Sequence, residues 1–297
     1  MPSLLDLVGN TPLLDISHLV NRPGVQLLAK CEGNNPASSV KDRAAKGMIA
    51  GALARGELRR GMRLVEATSG NTGIALAMIA QAVGIEMHLV MPDTLTIERT
   101  QTMRAFGAVV HLIDGGMEAA RDKALAMVAQ TRGQPDAFLM LNQFDNPDNA
   151  LAHYQSTGPE IWRDTAGAVT HFVSAMGTTG TIMGTSRYLK ERNPAVQILG
   201  CQPTEGSSIP GIRRWPAEYM PKIFERSRVD GVIDVTARDA EATARMLART
   251  AGLFTGPSAG GACWGALQLA ATLEKGCLVF IACDRGDRYL SSDLFRV

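Results

Sequence analysis

The chain has 297 residues, enough for two ordinary domains, and its 45% hydrophobic and 20% charged content is that of a soluble globular protein. Thirty Lys and Arg against 29 Asp and Glu leave a net charge of +1, which excludes a broad field for steering nucleic acid or an anionic membrane. Any anion bound here is therefore held by local geometry.

Short β-rich runs alternate with amphipathic or Ala-rich stretches. In chain order the pattern predicts a strand at 25–30, a helix at 40–55, a strand at 63–67, a helix at 72–82, a strand at 87–91, a helix at 97–106, a strand at 109–113 and a helix at 117–130. It continues with strands at 138–141 and 171–174, a helix at 181–191, a strand at 197–201, helices at 237–251 and 261–271, and a strand at 278–282. Alternation of this kind predicts an α/β fold with doubly wound, mainly parallel sheets, whose ligands sit in strand-to-helix turns. The Asn-, Asp- and Pro-rich run Asn142 to Asn149 is the clearest boundary between domains. The irregular stretch Pro203 to Pro221 is too long for a simple connection and reads as a functional loop.

Five cysteines, with no Cys-x-x-Cys pair, argue against a disulfide framework and a zinc ribbon; no metal is expected, and a reducing, cytoplasmic setting fits best. The N-terminus does not read as a signal peptide, because Asp6 interrupts it and no basic residue precedes the apolar stretch. No apolar run approaches the roughly 20 residues needed to span a bilayer.

Four predicted turns are rich in Gly, Ser, Thr and Asn. They are Asn34 to Arg43 (NNPASSVKDR), Thr68 to Gly73 (TSGNTG), Gly177 to Thr181 (GTTGT) and Gly256 to Gly261 (GPSAGG). Each lies where a helix is about to begin, where unpaired N–H groups and the dipole favour an anion. There is no Gly-Lys pair for a Walker A loop and no Gly-x-Gly-x-x-Gly after a strand. What remains is a lysine-free cup of amides and hydroxyls, suited to a single phosphomonoester. The Gly-x-Ser-x-Gly at 256–260 could be a hydrolase nucleophile elbow, but that fold needs a histidine after the serine and the last histidine is His171. Lys41, expected one turn into a helix capped by Ser38 or Ser39, sits where burial and the helix dipole favour its neutral amine. Taken alone, it could equally be a solvated surface lysine.

The run Asn-Pro-Ala-Ser-Ser-Val-Lys-Asp-Arg resembles the lysine motif of the pyridoxal-phosphate (PLP) enzymes of fold type II, the tryptophan synthase β-like group. Thr68 to Gly73 looks like that family's substrate-carboxylate loop and Gly177 to Thr181 like its phosphate loop. Their order and spacing are similar to those of cysteine synthases over nearly the whole chain. Glu205 to Pro216 (EGSSIPGIRRWP) and Cys283 to Ser291 (CDRGDRYLS) resemble the B type within that group.

The resemblance implies a PLP-dependent β-replacement on O-acetyl-L-serine, in which sulfide or thiosulfate displaces the leaving group to give L-cysteine or S-sulfo-L-cysteine. It implies that Lys41 carries PLP as a Schiff base and removes the Cα proton. It places Asn71 against the ring oxygen, Gly177, Thr178, Thr179, Gly180 and Thr181 around the phosphate, and Ser258 at the pyridine nitrogen, where a neutral serine makes a weaker electron sink than aspartate. Thr68, Ser69, Thr72 and Gln143 are implied to bind the substrate carboxylate, with helix capping the alternative role for Ser69 and Thr72 and turn formation that for Gln143. Arg213, Arg214 and Trp215 are implied to select the nucleophile, guanidinium suiting an oxyanion such as thiosulfate, with an ordinary surface salt bridge as the alternative role for either arginine. Cys283 is implied to line the site, its alternative being a small buried hydrophobe. A mobile small domain at 35–147, a large domain made of 1–34 and 148–297, and a homodimer are further implications. Other fold type II activities, such as serine or threonine dehydration or cystathionine β-synthesis, and a regulatory role in binding serine acetyltransferase, stay open at this level. Ser38, where the family favours glycine, Ala259, where a second serine is common, and Asn142, where an acidic residue is frequent, depart from the pattern without removing a reacting group.

Overall fold

In the computed structural model the residues described are 2–68, 70–93 and 97–296. The ten strands assigned among them are β1 (Leu13–Asp15), β2 (Val25–Cys31), β3 (Arg63–Ala67), β4 (Glu86–Pro92), β5 (Val109–Ile113), β6 (Phe138–Leu139), β7 (His171–Ala175), β8 (Gln197–Pro203), β9 (Gly231–Val235) and β10 (Gly276–Ala282). The helices are α1 (Lys41–Ala54), α2 (Asn71–Val83), α3 (Ile97–Ala105), α4 (Met117–Gln130), α5 (Pro147–Gln155), α6 (Thr157–Asp164), α7 (Gly180–Arg192), α8 (Ala237–Ala251) and α9 (Pro257–Ala270). They form two sheets. The larger runs β1-β2-β10-β7-β8-β9, parallel throughout except for the antiparallel β1–β2 pair. The smaller runs β5-β4-β3-β6, all parallel.

The expected α/β class follows from burial. In β10, at the middle of the large sheet, every residue from Cys277 to Ala282 is buried, the continuous apolar run of a parallel strand covered on both faces. In α2 the whole run Thr72–Ala80 is buried, so this helix is surrounded rather than one-sided. Edge strand β5 is the opposite case: Val109 and Leu112 are exposed.

Several boundaries shift for physical reasons. β6 ends at Leu139, two residues earlier than the apolar run suggests, because the N–H of Asn142 turns to the buried carboxylate of Glu66 (3.0 Å). The boundary run at 142–149 is only partly loop. Asn146 caps α5 by accepting a hydrogen bond from Asp148 N, with Pro147 in the first turn, so residues typical of turns here start a helix. α5, α6, β1 and β9 were not expected. α9 starts at Pro257, one turn before the predicted position, because proline is suited to a first helical turn. α1 begins at Lys41 itself and not one turn earlier. Ser39 is bridged to Asp284 and Val40 N donates to the carbonyl of Cys283 (2.8 Å), so these two residues are committed to the C-terminal segment before the helix starts. Ser38, at the position that favours glycine in the family, has φ of 60°, a left-handed backbone.

Candidate active site

Three of the four polar turns meet a fourth at a cleft of about 670 Å³ between the two sheets, lined among others by Lys41, Asn71, Thr72, Gln143, Thr178 and Ser258. On the large-sheet side, the turn after β7 enters α7. Gly177 lies so close to the carbonyl of Gly211 that a Cβ would sit 2.7 Å from that oxygen, and a Cβ on Gly180 would sit 2.0 Å from Asn149 Oδ1. Both positions need glycine for close approach. Thr179 between them has φ of 70°, a strained conformation for a β-branched residue. Its hydroxyl is buried without a hydrogen-bond partner among the described residues. A buried orphan hydroxyl, a strained backbone and the free N–H groups of a helix start are together what a phosphate would complete. The residues present therefore fit a phosphorylated cofactor.

Lys41 is half-buried and lines this cleft. Burial pulls its pKa below the usual lysine range, against the opposing pull of Cys283 and Asp284. Its amide N donates to Ser39 Oγ (3.2 Å), but the N-cap position is Val40, so neither Ser38 nor Ser39 is the N-cap expected for this helix. Ser258 is buried in the first turn of α9, against Gly211. Cys283 follows β10, donates to the carbonyl of Ile281 (3.6 Å) and has its thiol pushed up to about 12 by burial, so it stands in the cleft as a neutral group.

On the small-sheet side the polar groups satisfy one another. Thr72 Oγ1 donates to Gln143 Oε1 at 2.7 Å, both residues being buried. Thr68 is buried too and its backbone joins β4 through Val90. Ser69 lies outside the described residues. Asn71, first residue of α2, is gripped at both ends: Nδ2 donates to Asp284 Oδ2 (2.7 Å), and Oδ1 accepts from Arg288, which also donates to the carbonyl of Ala37. Tyr289 OH donates to the same Asp284 oxygen (2.7 Å).

The Arg-Arg-Trp stretch divides. Arg213 is exposed at the cleft, and its guanidinium makes no hydrogen bond or ion pair among the described residues; only its backbone N is tied, to Met176 O (2.8 Å). Arg214 is occupied, donating to the carbonyl of Pro203 (2.9 Å) and to Asp234 Oδ2 (2.6 Å). Trp215 donates from its ring N–H to the carbonyl of Gly177 (2.7 Å) and packs edge-on to Phe144, ring centroids 5.5 Å apart. The structure thus brings the predicted residues it describes to one cleft, except Thr179 and Gly180, which do not line it, and gives Arg214 and Trp215 bracing contacts.

Sequence reading missed the supports. Glu66 is buried beneath the Asn142 turn, and burial raises its carboxyl to about 7 despite the backbone N–H groups it faces. Asn149, His153, Asp284 and Tyr289 are buried as well. His153 contacts the hydroxyls of Thr157 (2.8 Å) and Thr181 (3.2 Å), and burial pushes it down to about 3, so it is a neutral prop. Arg43, inside the lysine motif, donates to Glu32 (2.7 Å) and Glu160 (2.6 Å), and Lys30 joins Glu160 at 2.8 Å, a buried ionic knot beside α1. The Asn-Asp-Pro run could have flagged Asn149. Nothing local marks Glu66, whose partner is 76 positions away.

The chain belongs to the pyridoxal-phosphate dependent enzyme family, whose model matches residues 4–284. It is 57% identical over 296 residues to cysteine synthase B of Pseudomonas aeruginosa, covering 99% of this chain and 97% of the relative. It is 56% identical over 297 residues to cysteine synthase B of Salmonella typhimurium, covering 99% and 96%. The fold is similar to the crystal structure of a cysteine synthase (OASS) from Entamoeba histolytica, with a TM-score of 0.94 at 36% identity over 100% of this chain and 91% of that one. Among the described residues no helix is long and apolar enough to cross a membrane, and no group of three or more His, Cys, Asp or Glu could hold a metal ion.

Proposed function

We propose that the protein is a cysteine synthase of the B type, replacing the acetoxy group of O-acetyl-L-serine by sulfur from sulfide or thiosulfate to give L-cysteine or S-sulfo-L-cysteine. The observation that carries this reading is the meeting, in one cleft, of Lys41, Gly177, Thr178 and Thr181 of the glycine-framed turn, and the open guanidinium of Arg213.

Gly177, Thr178, Thr179, Gly180 and Thr181 hold the phosphate, Ser258 serves the ring nitrogen as a neutral partner, and Asn71 orients the ring from the opposite side. PLP, when bound, withdraws electrons from the substrate Cα, so that the Cα proton and then the β leaving group can depart. The Lys41 amine, whose pKa burial pulls down, is the base for that proton and returns it after sulfur has added. Thr68, Ser69, Thr72 and Gln143 bind the substrate carboxylate. The Thr72–Gln143 hydrogen bond is given up when the substrate arrives, and their short separation keeps both groups aimed at one point. Arg213 draws the sulfur anion to the cleft, while Arg214 anchors the loop on β9 and Trp215 fixes it against Gly177. Cys283 lines the pocket without ionising.

The part of the chain at 35–147 is the domain that closes over the substrate, and 1–34 with 148–297 is the larger domain; closure excludes water. We place the enzyme in the cytoplasm as a homodimer, in keeping with its free cysteines. The test is a product assay in which O-acetylserine is mixed with sulfide or with thiosulfate. Cysteine from the first and S-sulfocysteine from the second support the reading. Cysteine alone would remove the thiosulfate role of Arg213, and pyruvate alone would point to a dehydratase.

A further inference from the structure

Asn149 stands between the two halves of the site. It is the third residue of α5, and 2% of it is exposed. Its Nδ2 donates twice, to the backbone carbonyl of Gln143 (2.7 Å) and to Thr178 Oγ1 (3.1 Å). Its Oδ1 fills the space over Gly180, where a Cβ would come within 2.0 Å. One carboxamide therefore touches the phosphate turn at two residues and the substrate segment at a third. The contacts are buried, where an unmatched donor or carbonyl is costly, so the three groups hold their positions jointly. Because Thr178 accepts from Asn149, its hydroxyl proton stays free to be given to an anion in the cup. Because the Gln143 carbonyl is pinned, the side chain of Gln143 projects from a fixed backbone toward Thr72.

From this geometry we infer that Asn149 is a positioning residue that couples the cofactor-phosphate turn to the substrate-carboxylate segment. This rests on the roles given above to Thr178 and Gln143. It touches neither cofactor nor substrate and acts through those two residues. The coupling works in both directions, as linkage requires: a phosphate that orders Thr178 and Gly180 also orders Gln143, and a carboxylate held at Gln143 tightens the phosphate turn.

The test uses the whole enzyme with two replacements, Asn149→Ala and the near-isosteric Asn149→Asp, which keeps the bulk over Gly180 but has no N–H to give. Apoenzyme is titrated with PLP to read its dissociation constant from absorbance, and steady-state rates at saturating PLP give KM and kcat for O-acetylserine. Each variant is expected to bind PLP about tenfold more weakly and to show a KM about tenfold higher, the loss typical of an abandoned buried hydrogen bond, with kcat changed less than about twofold. In a Gln143→Ala background, Asn149→Ala is expected to leave KM where Gln143→Ala put it while still weakening PLP, the non-additivity of residues that act in series. The inference is overturned if either constant stays at the wild-type value in both variants, or if the two KM effects multiply. If Gln143→Ala itself leaves KM unchanged, the substrate segment has been misassigned and the coupling falls with it. If Gln143→Ala raises KM and the Asn149 variants do not, the coupling alone falls.

Discussion

The two walls of the cleft are built by different means. The cofactor wall, after β7 and at the start of α9, is shaped by backbone: Gly177 and Gly180 are pressed against other atoms, Thr179 is held at positive φ, and Ser258 sits at a proline-initiated helix. The substrate wall, at the start of α2 and after β6, is held by side chains: Thr72 on Gln143, Glu66 under Asn142, Asn71 between Asp284 and Arg288. A backbone-built wall is preformed and tolerates no added atoms. A wall of paired side chains can exchange its partners for a ligand, which suits the side where substrates come and go.

The largest effect is expected where the first wall is broken. Gly180→Ala drives a methyl into Asn149, a local overpacking of about 1–3 kcal/mol. Thermal unfolding of the purified variant should show that loss, together with a protein that no longer retains PLP through gel filtration. Full retention would mean that the turn yields more easily than its contacts imply.

Next come the two arginines, which sharpen the contrast between an open and an occupied side chain. Arg213→Ala is expected to raise KM for thiosulfate about tenfold while leaving sulfide use nearly intact, the size expected for a lost charge-assisted hydrogen bond. Arg214→Ala removes an exposed pair with Asp234, worth at most about 1 kcal/mol, and should affect both donors equally and weakly. Equal thiosulfate losses in the two variants would contradict the division. For the second wall, Thr72→Val deletes the donor to Gln143 but keeps the shape. KM for O-acetylserine should rise about fivefold with kcat little changed, since the loss is of the hydrogen bond that this hydroxyl gives to the substrate carboxylate after releasing Gln143. A fall in kcat alone would instead place Thr72 in the chemistry.

How far these walls were legible in the sequence follows from how they are built. Glycines pressed against backbone leave a visible run, as in Gly177 to Thr181, and alternating apolar strands gave the parallel sheets. β10 and α2 were found because burial on all sides leaves uninterrupted apolar residues. The short strands β1 and β9 have residues that are half exposed, and α5 and α6 begin with Asn, Pro, Ser and Thr, which read equally as loop. The substrate wall was readable as the polar turn Thr68 to Gly73, and its carboxylate role only through the resemblance. Its supports, Glu66, Asn149 and Asp284, depend on contacts between distant positions that no local pattern reports.

The last effect, read in stability and not in catalysis, concerns Glu66. Its carboxyl is raised from 4.5 to about 7, so in that window the folded protein keeps a proton that the unfolded chain has released. This contribution to stability is present at low pH and is lost as pH rises through the window. Glu66→Gln lacks it. The difference in Tm, wild type minus variant, should therefore shrink between pH 4.5 and 7 and level off above. Parallel curves would show that Glu66 is already charged throughout.

The central claim, that Lys41 and the glycine-framed turn hold PLP for β-replacement, is tested most directly by the visible absorbance of the purified protein. Spectra would be taken before and after O-acetylserine, and again after sulfide or thiosulfate, in wild type and Lys41→Ala. The account predicts a visible cofactor band that shifts with O-acetylserine and returns when sulfur is added, and a Lys41→Ala variant that folds but gives neither this cycle nor product. A wild-type protein with no band after added PLP, or sulfur transfer that survives in Lys41→Ala, would contradict it.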